Sequence, residues 1–218
     1  MIHYLTLSAW VLQPPTVVNF LSEYNLFLVL GTGAAVLTIG WLVYAVVKYR
    51  AKGNSKDVEM RPSGKNDNLR AWLTAVITIG ILAVALITAV QATQFIYNAP
   101  PGPDLVIIVH GFQWGWNFTY PNGYSIIDHL IVPVNTTIIL NITSKDVFHT
   151  LGIPSLYVKG DAIPGQWTSL WFKVTQTENI TDGIRCYELC GIGHYDMVAN
   201  LSVVPQAQFQ QWYTSVSK

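Results

Sequence analysis

Charge is what this chain has least of. Lys, Arg, Asp and Glu together make up 11% of its 218 residues, where an average soluble domain carries about one quarter. Much of the chain is therefore built for nonpolar surroundings. Twelve basic residues balance twelve acidic ones, so the basic surface that a nucleic-acid partner requires is missing, and that class of partner is excluded. Cysteine is scarce too. Two cysteines cannot hold a disulfide-dense scaffold, so any part outside a membrane has to rest on an ordinary core or a bound ion. The first 24 residues contain no Lys or Arg and one acid, Glu23. They lack the basic start of a cleaved secretory signal, and the first apolar segment is expected to be permanent. Eight Trp and eleven Tyr exclude a disordered chain.

Two long apolar runs stand out, Leu26 to Val47 and Ala71 to Tyr97, neither with a charge. Each exceeds the roughly 20 residues a helix needs to cross a bilayer, and neither has a polar face, so both are predicted to be transmembrane helices. Trp41, Tyr44 and Tyr49, and Trp72 and Tyr97, stand near their ends, where aromatic belts form. Between the runs Lys48, Arg50, Lys52, Lys56, Arg61, Lys65 and Arg70 outweigh Asp57, Glu59 and Asp67. The positive-inside rule puts this loop in the cytoplasm and both termini outside a cell membrane. The expected divisions are an outer tail over 1–24, a two-helix transmembrane hairpin over 25–98 with its inner loop at 48–70, and an outer domain over 99–218.

The outer part opens on Ala99-Pro100-Pro101-Gly102-Pro103 and then changes period. Val106, Ile108, His110, Phe112, Trp114, Trp116 and Phe118 alternate with smaller or more polar neighbours, as in a half-buried strand. Ile138, Leu140 and Ile142 repeat the pattern, and apolar runs follow at 167–174 and 198–204. Turn clusters at Pro121-Asn122-Gly123 and Ile163-Pro164-Gly165 separate them. This spacing predicts an all-β sandwich.

Near the end stands Cys186-Tyr187-Glu188-Leu189-Cys190-Gly191-Ile192-Gly193-His194-Tyr195-Asp196-Met197. Two thiolates, an imidazole and a thioether in one short segment form a copper ligand set, since Cys and Met favour Cu(I) and imidazole suits copper generally. His149, directly after a predicted strand, supplies a second imidazole. One Cys with two His and a Met would make a mononuclear blue-copper site. Two cysteines can instead bridge two copper ions, each completed by one His, with Met197 and a backbone carbonyl as weak outer ligands. Two other readings use the same residues: a disulfide between Cys186 and Cys190, and a structural zinc site of Cys186, Cys190, His194 and His149, which leaves Met197 idle. His3, His110 and His129 are read as ordinary histidines.

With these residues in view the chain resembles subunit II of the heme-copper oxidases of the cytochrome c oxidase type. The likeness covers nearly its whole length. It extends to Gln113-Trp114-Gly115-Trp116, Asp146-Val147-Phe148-His149, Ile153-Pro154-Ser155-Leu156 and Lys159-Gly160-Asp161-Ala162-Ile163-Pro164-Gly165. The resemblance implies a cupredoxin-like Greek-key sandwich holding a binuclear copper centre, CuA. Its side-chain ligands would be His149, Cys186, Cys190, His194 and Met197, with the Glu188 carbonyl as the last. It further implies that the Glu188 carboxylate reaches a Mg ion at the boundary with the catalytic subunit. Trp114 would be the point where electrons arrive from a cytochrome c or a copper-protein donor, and Trp116 a core residue. The implied role is to relay single electrons to heme in subunit I, which reduces oxygen to water while protons are moved. A heme-copper nitric oxide reductase can carry a similar subunit, and a membrane-anchored disulfide or zinc module is the reading from another class. A quinol oxidase subunit would normally lack the copper ligands.

Three positions depart from the family pattern: Gln166 where an Arg is usual, Gly115 where an aromatic often separates the two tryptophans, and Leu69 where many members have a Glu at a proton path, with Asp67 the nearest substitute. The outer domain carries five basic and eight acidic residues, a net charge of minus three, which is mild steering for a basic donor. Of the six asparagines from Asp104 onward, five begin an Asn-x-Ser/Thr triplet, namely Asn117, Asn135, Asn141, Asn179 and Asn200, whereas none of the six before it does. This distribution is expected of an outward-facing glycoprotein, in an archaeon more readily than in a bacterium or an organelle.

Overall fold

The structure, a computed structural model, describes residues 14–50, 64–102 and 104–217. Lys52, Lys56, Asp57, Glu59 and Arg61 of the connecting loop, His3, Pro103 and Lys218 lie outside the described residues, as does the side chain of Lys65.

Helix α1 runs Pro15–Tyr49 and α2 runs Lys65–Tyr97. Proline at the first position of α1 fits a helix start, where its missing N–H has no partner to lose. Both helices are long and apolar enough to cross a membrane. They expose aliphatic side chains on every side, Leu37 and Val29 among them, a surface that lipid satisfies and water does not. The 35 residues of α1 make a rod about 50 Å long, well beyond the roughly 30 Å of bilayer hydrocarbon. Within the stretch expected as an outer tail, 1–24, the chain is helical from Pro15 onward, and polar Asn19, Ser22 and Glu23 belong to that helix. At the start of α2, Asp67 Oδ2 accepts the Gly64 N–H at 2.9 Å, and Oδ1 lies 3.9 Å from Arg70. The acid that sequence offers as a proton-path substitute thus caps the helix. The neighbouring Leu69 is exposed.

Leu21–Ala92 form one compact unit, and the β domain, with the chain from Thr93, belongs to the other. The β domain is a sandwich of two five-stranded sheets. One sheet contains β1 (Asp104–Phe112), β2 (Gly115–Thr119), β3 (Ser125–Ile127), β5 (Thr137–Ser144) and β8 (Thr168–Lys173) in the order β3-β2-β1-β5-β8. The other contains β4 (His129–Pro133), β6 (His149–Ile153), β7 (Val158–Ala162), β9 (Glu178–Cys186) and β10 (Val198–Val204) in the order β4-β10-β9-β6-β7. The chain crosses between sheets at β3–β4, β4–β5, β5–β6, β7–β8 and β8–β9. This brings β1 beside β5 and β4 beside β10 as parallel pairs, the Greek-key wiring of a cupredoxin-like sandwich. A short helix α3, Gln206–Ser215, closes the base through Phe209. The core fills from both inner faces, with Ile107, Val109, Phe118, Leu140 and Ile142 from one sheet and Leu130, Leu151, Ile184 and Leu201 from the other.

The alternating run from Val106 to Phe118 is not one strand. It breaks at Gln113-Trp114, whose peptide is cis, into the hairpin β1–β2. In β1 the inward residues are Ile107 and Val109, fully buried, while Val106 and Ile108 are each 39% exposed, so the expected phase is inverted there. Leu105-Val106-Ile107-Ile108-Val109 is apolar in both phases and carries no mark of which face turns inward. In β2 the phase holds, and Trp116 and Phe118 are buried. Gly115 is required at the corner. A Cβ there would stand 2.9 Å from the Phe112 ring and 3.0 Å from the Asp128 carboxylate, so Phe112 occupies the space that a side chain at 115 would fill.

Candidate metal centre

The site lies at one end of the sandwich, where β9 ends at Cys186 and β10 begins at Val198. The connecting loop is closed at its base, since the Cys186 N–H bonds the Met197 carbonyl at 3.0 Å. Inside it, the His194 N–H bonds Gly191 O and the Asp196 N–H bonds Gly193 O, each at 3.1 Å, forming a 3₁₀ turn over His194–Asp196. Gly191 has φ of +114°, a conformation that favours glycine. The Tyr187 N–H bonds Thr150 O at 2.8 Å and ties the loop to β6.

Five side-chain donors meet here. Cys186 Sγ lies 3.9 Å from His149 Nδ1 and 3.9 Å from Cys190 Sγ; Cys190 Sγ lies 3.6 Å from His194 Nδ1 and 3.8 Å from Met197 Sδ. Cys186 also donates to the Glu188 carbonyl at 3.3 Å. His149 and Met197 are fully buried, and both cysteines are buried free thiols. Two ligands on one ion, with bonds of roughly 2.0 to 2.3 Å in tetrahedral directions, stand about 3.6 Å apart, so these separations fit a shared metal. They are too long for a disulfide, whose sulfurs sit about 2.05 Å apart. Met197 within the group also gives one donor more than a four-coordinate structural zinc uses. Burial, and then the nearby Cys186 sulfur, push the Cys190 thiol up to about 12. A cation is what such buried sulfurs lack, and metal binding deprotonates a coordinating thiol outright. The donor set therefore fits the soft-metal centre that the sequence suggests.

Around the donors lies a layer that sequence reading does not find. His149 Nε2 is 2.8 Å from Asp146 Oδ1, so an Nε2–H donated to the carboxylate leaves the Nδ1 lone pair facing the sulfurs. Desolvation raises the Asp146 pKa, but the His149 hydrogen bond and the Gln113 and Val147 N–H groups, at 2.7 and 2.6 Å, together hold it below the usual carboxylate range. The signal in the sequence is an acid three residues before the ligand histidine. Trp116, buried as expected, sets its ring 6.1 Å from that of His149. Gln113 Nε2 donates to the Cys190 carbonyl at 2.8 Å, and Trp114 Nε1 donates to the same oxygen at 3.1 Å.

Trp114 is 43% exposed and lies against the loop. A Cβ on Gly193 would stand 2.4 Å from its ring, so only glycine there lets the indole approach so closely. Leu189, Ile192 and Tyr195 of the same loop are each more than three-quarters exposed. Of the remaining sequence candidates, the structure brings the Glu188 main chain to the site. Among the described residues, the grouping of three or more metal-ligating His, Cys, Asp and Glu side chains is His149 with Cys186 and Cys190, and the Glu188 carboxylate is not part of it. Gln166 closes a turn, its N–H on Ile163 O at 3.2 Å. His129 bonds Ser202 at 2.8 Å and His110 packs edge-on to Trp167, consistent with ordinary roles.

Fold and site together define a membrane protein with a cupredoxin-like domain and a thiol-rich metal loop. The family model described as cytochrome C oxidase subunit II, periplasmic domain, matches residues 124–204. The chain is 34% identical to the heme-copper oxidase subunit 2 of the archaeon Aeropyrum pernix, over 92% of this chain and 91% of the relative. It is 29% identical to the probable cytochrome c oxidase subunit 2 of Rickettsia bellii, over 94% and 83%. The crystal structure of the periplasmic domain of cytochrome oxidase subunit II from Bradyrhizobium japonicum aligns with 53% of this chain and 94% of its own, at 31% identity and a TM-score of 0.49. The chain belongs to the family of subunit 2 of the heme-copper oxidases.

Proposed function

We propose that this chain receives electrons for a respiratory terminal oxidase through a binuclear copper centre. The observation that carries the reading is the convergence of His149 on β6 with Cys186, Cys190, His194 and Met197 of one loop, whose Cys190 carbonyl is held by Trp114. These five side chains and the Glu188 carbonyl would hold the two ions, which when bound supply a one-electron carrier. The protein's share is rigidity. The loop is closed by the Cys186–Met197 bond, His149 is locked by Asp146, and burial excludes water from the sulfurs. Donors enclosing the site leave no place for a substrate, which suits electron relay rather than bond-making chemistry.

Electrons would arrive at Trp114 from a cytochrome c or a small copper protein and leave for heme in subunit I, where oxygen is reduced and protons are moved. The Glu188 carboxylate would meet a Mg ion completed by that partner. The basic loop would lie in the cytoplasm, with both termini and the β domain outside the cell membrane.

The test is spectroscopic. The purified full chain in detergent, reconstituted with copper, should turn purple and give the EPR signal of one electron shared by two coppers. A colourless protein, or a single-copper signal with one copper per chain, would defeat the reading.

A further inference from the structure

The five Asn-x-Ser/Thr triplets of the β domain differ sharply in what the fold makes of them. Asn117 is half-buried on β2, and its Oδ1 is shut off from solvent. Asn141 lies in the middle of β5, hydrogen-bonded into a sheet between β1 and β8, and its Thr143 is buried. Asn135 is exposed, but the Thr137 hydroxyl of its triplet is buried. Asn200 is exposed, but its Oδ1 accepts the Asp182 N–H at 3.1 Å. Asn179-Ile180-Thr181 alone among them has both its asparagine and its hydroxyl residue fully at the surface.

One edge of its backbone is open. Asn179 pairs with Ser202 of β10 on one side, while on the other β9 pairs with β6 only at Leu151–Cys186 and Gly152–Arg185, so among the described residues no strand lies beside the half of β9 that begins at Glu178. A modifying enzyme that binds its acceptor as an extended segment needs such an edge. Beside Asn179 opens a cavity of about 560 Å³, lined among others by Glu178, His129, Ser202, Gln208 and Trp212. A mixture of amide, hydroxyl, carboxylate and indole groups gives a first sugar both hydrogen bonds and a flat apolar surface. The site is at the opposite end of β9 from Cys186, so a bulky group there leaves the metal loop uncovered.

We propose that Asn179 is an N-glycosylation site. The donor is an oligosaccharide linked to a polyprenyl phosphate carrier. The Asn179 Nδ2 bonds to the sugar's anomeric carbon and passes one proton to a base of the transferring enzyme, and the carbon–oxygen bond to the carrier phosphate breaks, releasing the carrier as its phosphate anion. The inference rests on the β domain lying outside the membrane. Removal of that domain by protease added to right-side-out vesicles tests the placement separately.

The experiment uses the oxidase purified from its own membranes. Trypsin should release Val174 to Arg185, a peptide containing this triplet and no other. The expected result is a peptide heavier by an oligosaccharide, with sugar ions on fragmentation, that becomes bare in Asn179→Gln and in Thr181→Val and stays modified in Thr181→Ser. Quantitative recovery of the wild-type peptide at its bare mass overturns the proposal. So does a glycan found on Asn117 or Asn141 with Asn179 bare.

Discussion

The indole N–H of Trp114 donates to the carbonyl oxygen of Cys190 at 3.1 Å, so a half-exposed surface ring and a buried thiol are joined through one residue's main chain. The ring keeps this position because the loop beneath it has no side chain at Gly193.

Gly193→Ala should therefore lift the indole from the loop. A displacement of about 1 Å can cost 100-fold where geometry matters, so donor-to-copper electron transfer is expected to slow by roughly 10- to 100-fold in stopped-flow measurements. The copper EPR signal should persist, because Gln113 still holds the Cys190 carbonyl and no donor side chain is replaced.

Asp146→Ala removes the acceptor that fixes the His149 tautomer. Loss of such a partner typically costs about 10- to 100-fold in metal affinity, and a competition titration with a copper chelator should show that loss. His149 remains fully buried and packed against Trp116, so the metal-free chain should still fold.

Met197→Leu replaces a buried thioether with an aliphatic group of similar volume. Copper should stay bound while the midpoint potential shifts, as read by redox titration of the visible bands. Cys186→Ser should destroy the two-copper EPR signal, because the removed sulfur sits between His149 and Cys190.

Burial, aided by Lys145, lowers the pKa of His110 below its ordinary 6.5, and its Nδ1 has no hydrogen-bond partner among the described residues. The folded state then binds fewer protons than the unfolded one once pH falls below 6.5. The stability contributed by the neutral ring is present above that value and is lost as pH falls toward the folded pKa. Thermal melts of the full chain at pH 7.5 and 5.5 should differ more for wild type than for His110→Gln. Equal differences would show that His110 plays no part.

The candidate ligands stood out in the sequence because four of them fall in one twelve-residue segment, and their chemical types suggest a soft-metal site. His149 was legible from its type and its place after a strand. What surrounds them was not. Gln113 meets Cys190 across 77 residues of chain and Asp146 across 33, and such approaches depend on how the two sheets are wired. Gly193 carried no sequence signal, since its meaning is the ring that rests on it. The fold class and β10 followed from period and turn residues. The inward face of β1 did not, because five consecutive apolar residues read alike in either phase. The start of α1 was hidden because apolarity marks where lipid begins, and the helix continues past that boundary.

The hydrogen bond between Cys186 and Met197 lies one residue beyond the last β9–β10 pair, Arg185 with Val198, and holds the first and last candidate ligands of the loop together. The entropy of closing that loop is thus lost when the sheet forms, not when metal arrives. On the proposed reading, metal uptake would have only side chains left to order, and ions could leave and return while the fold around them stays shut.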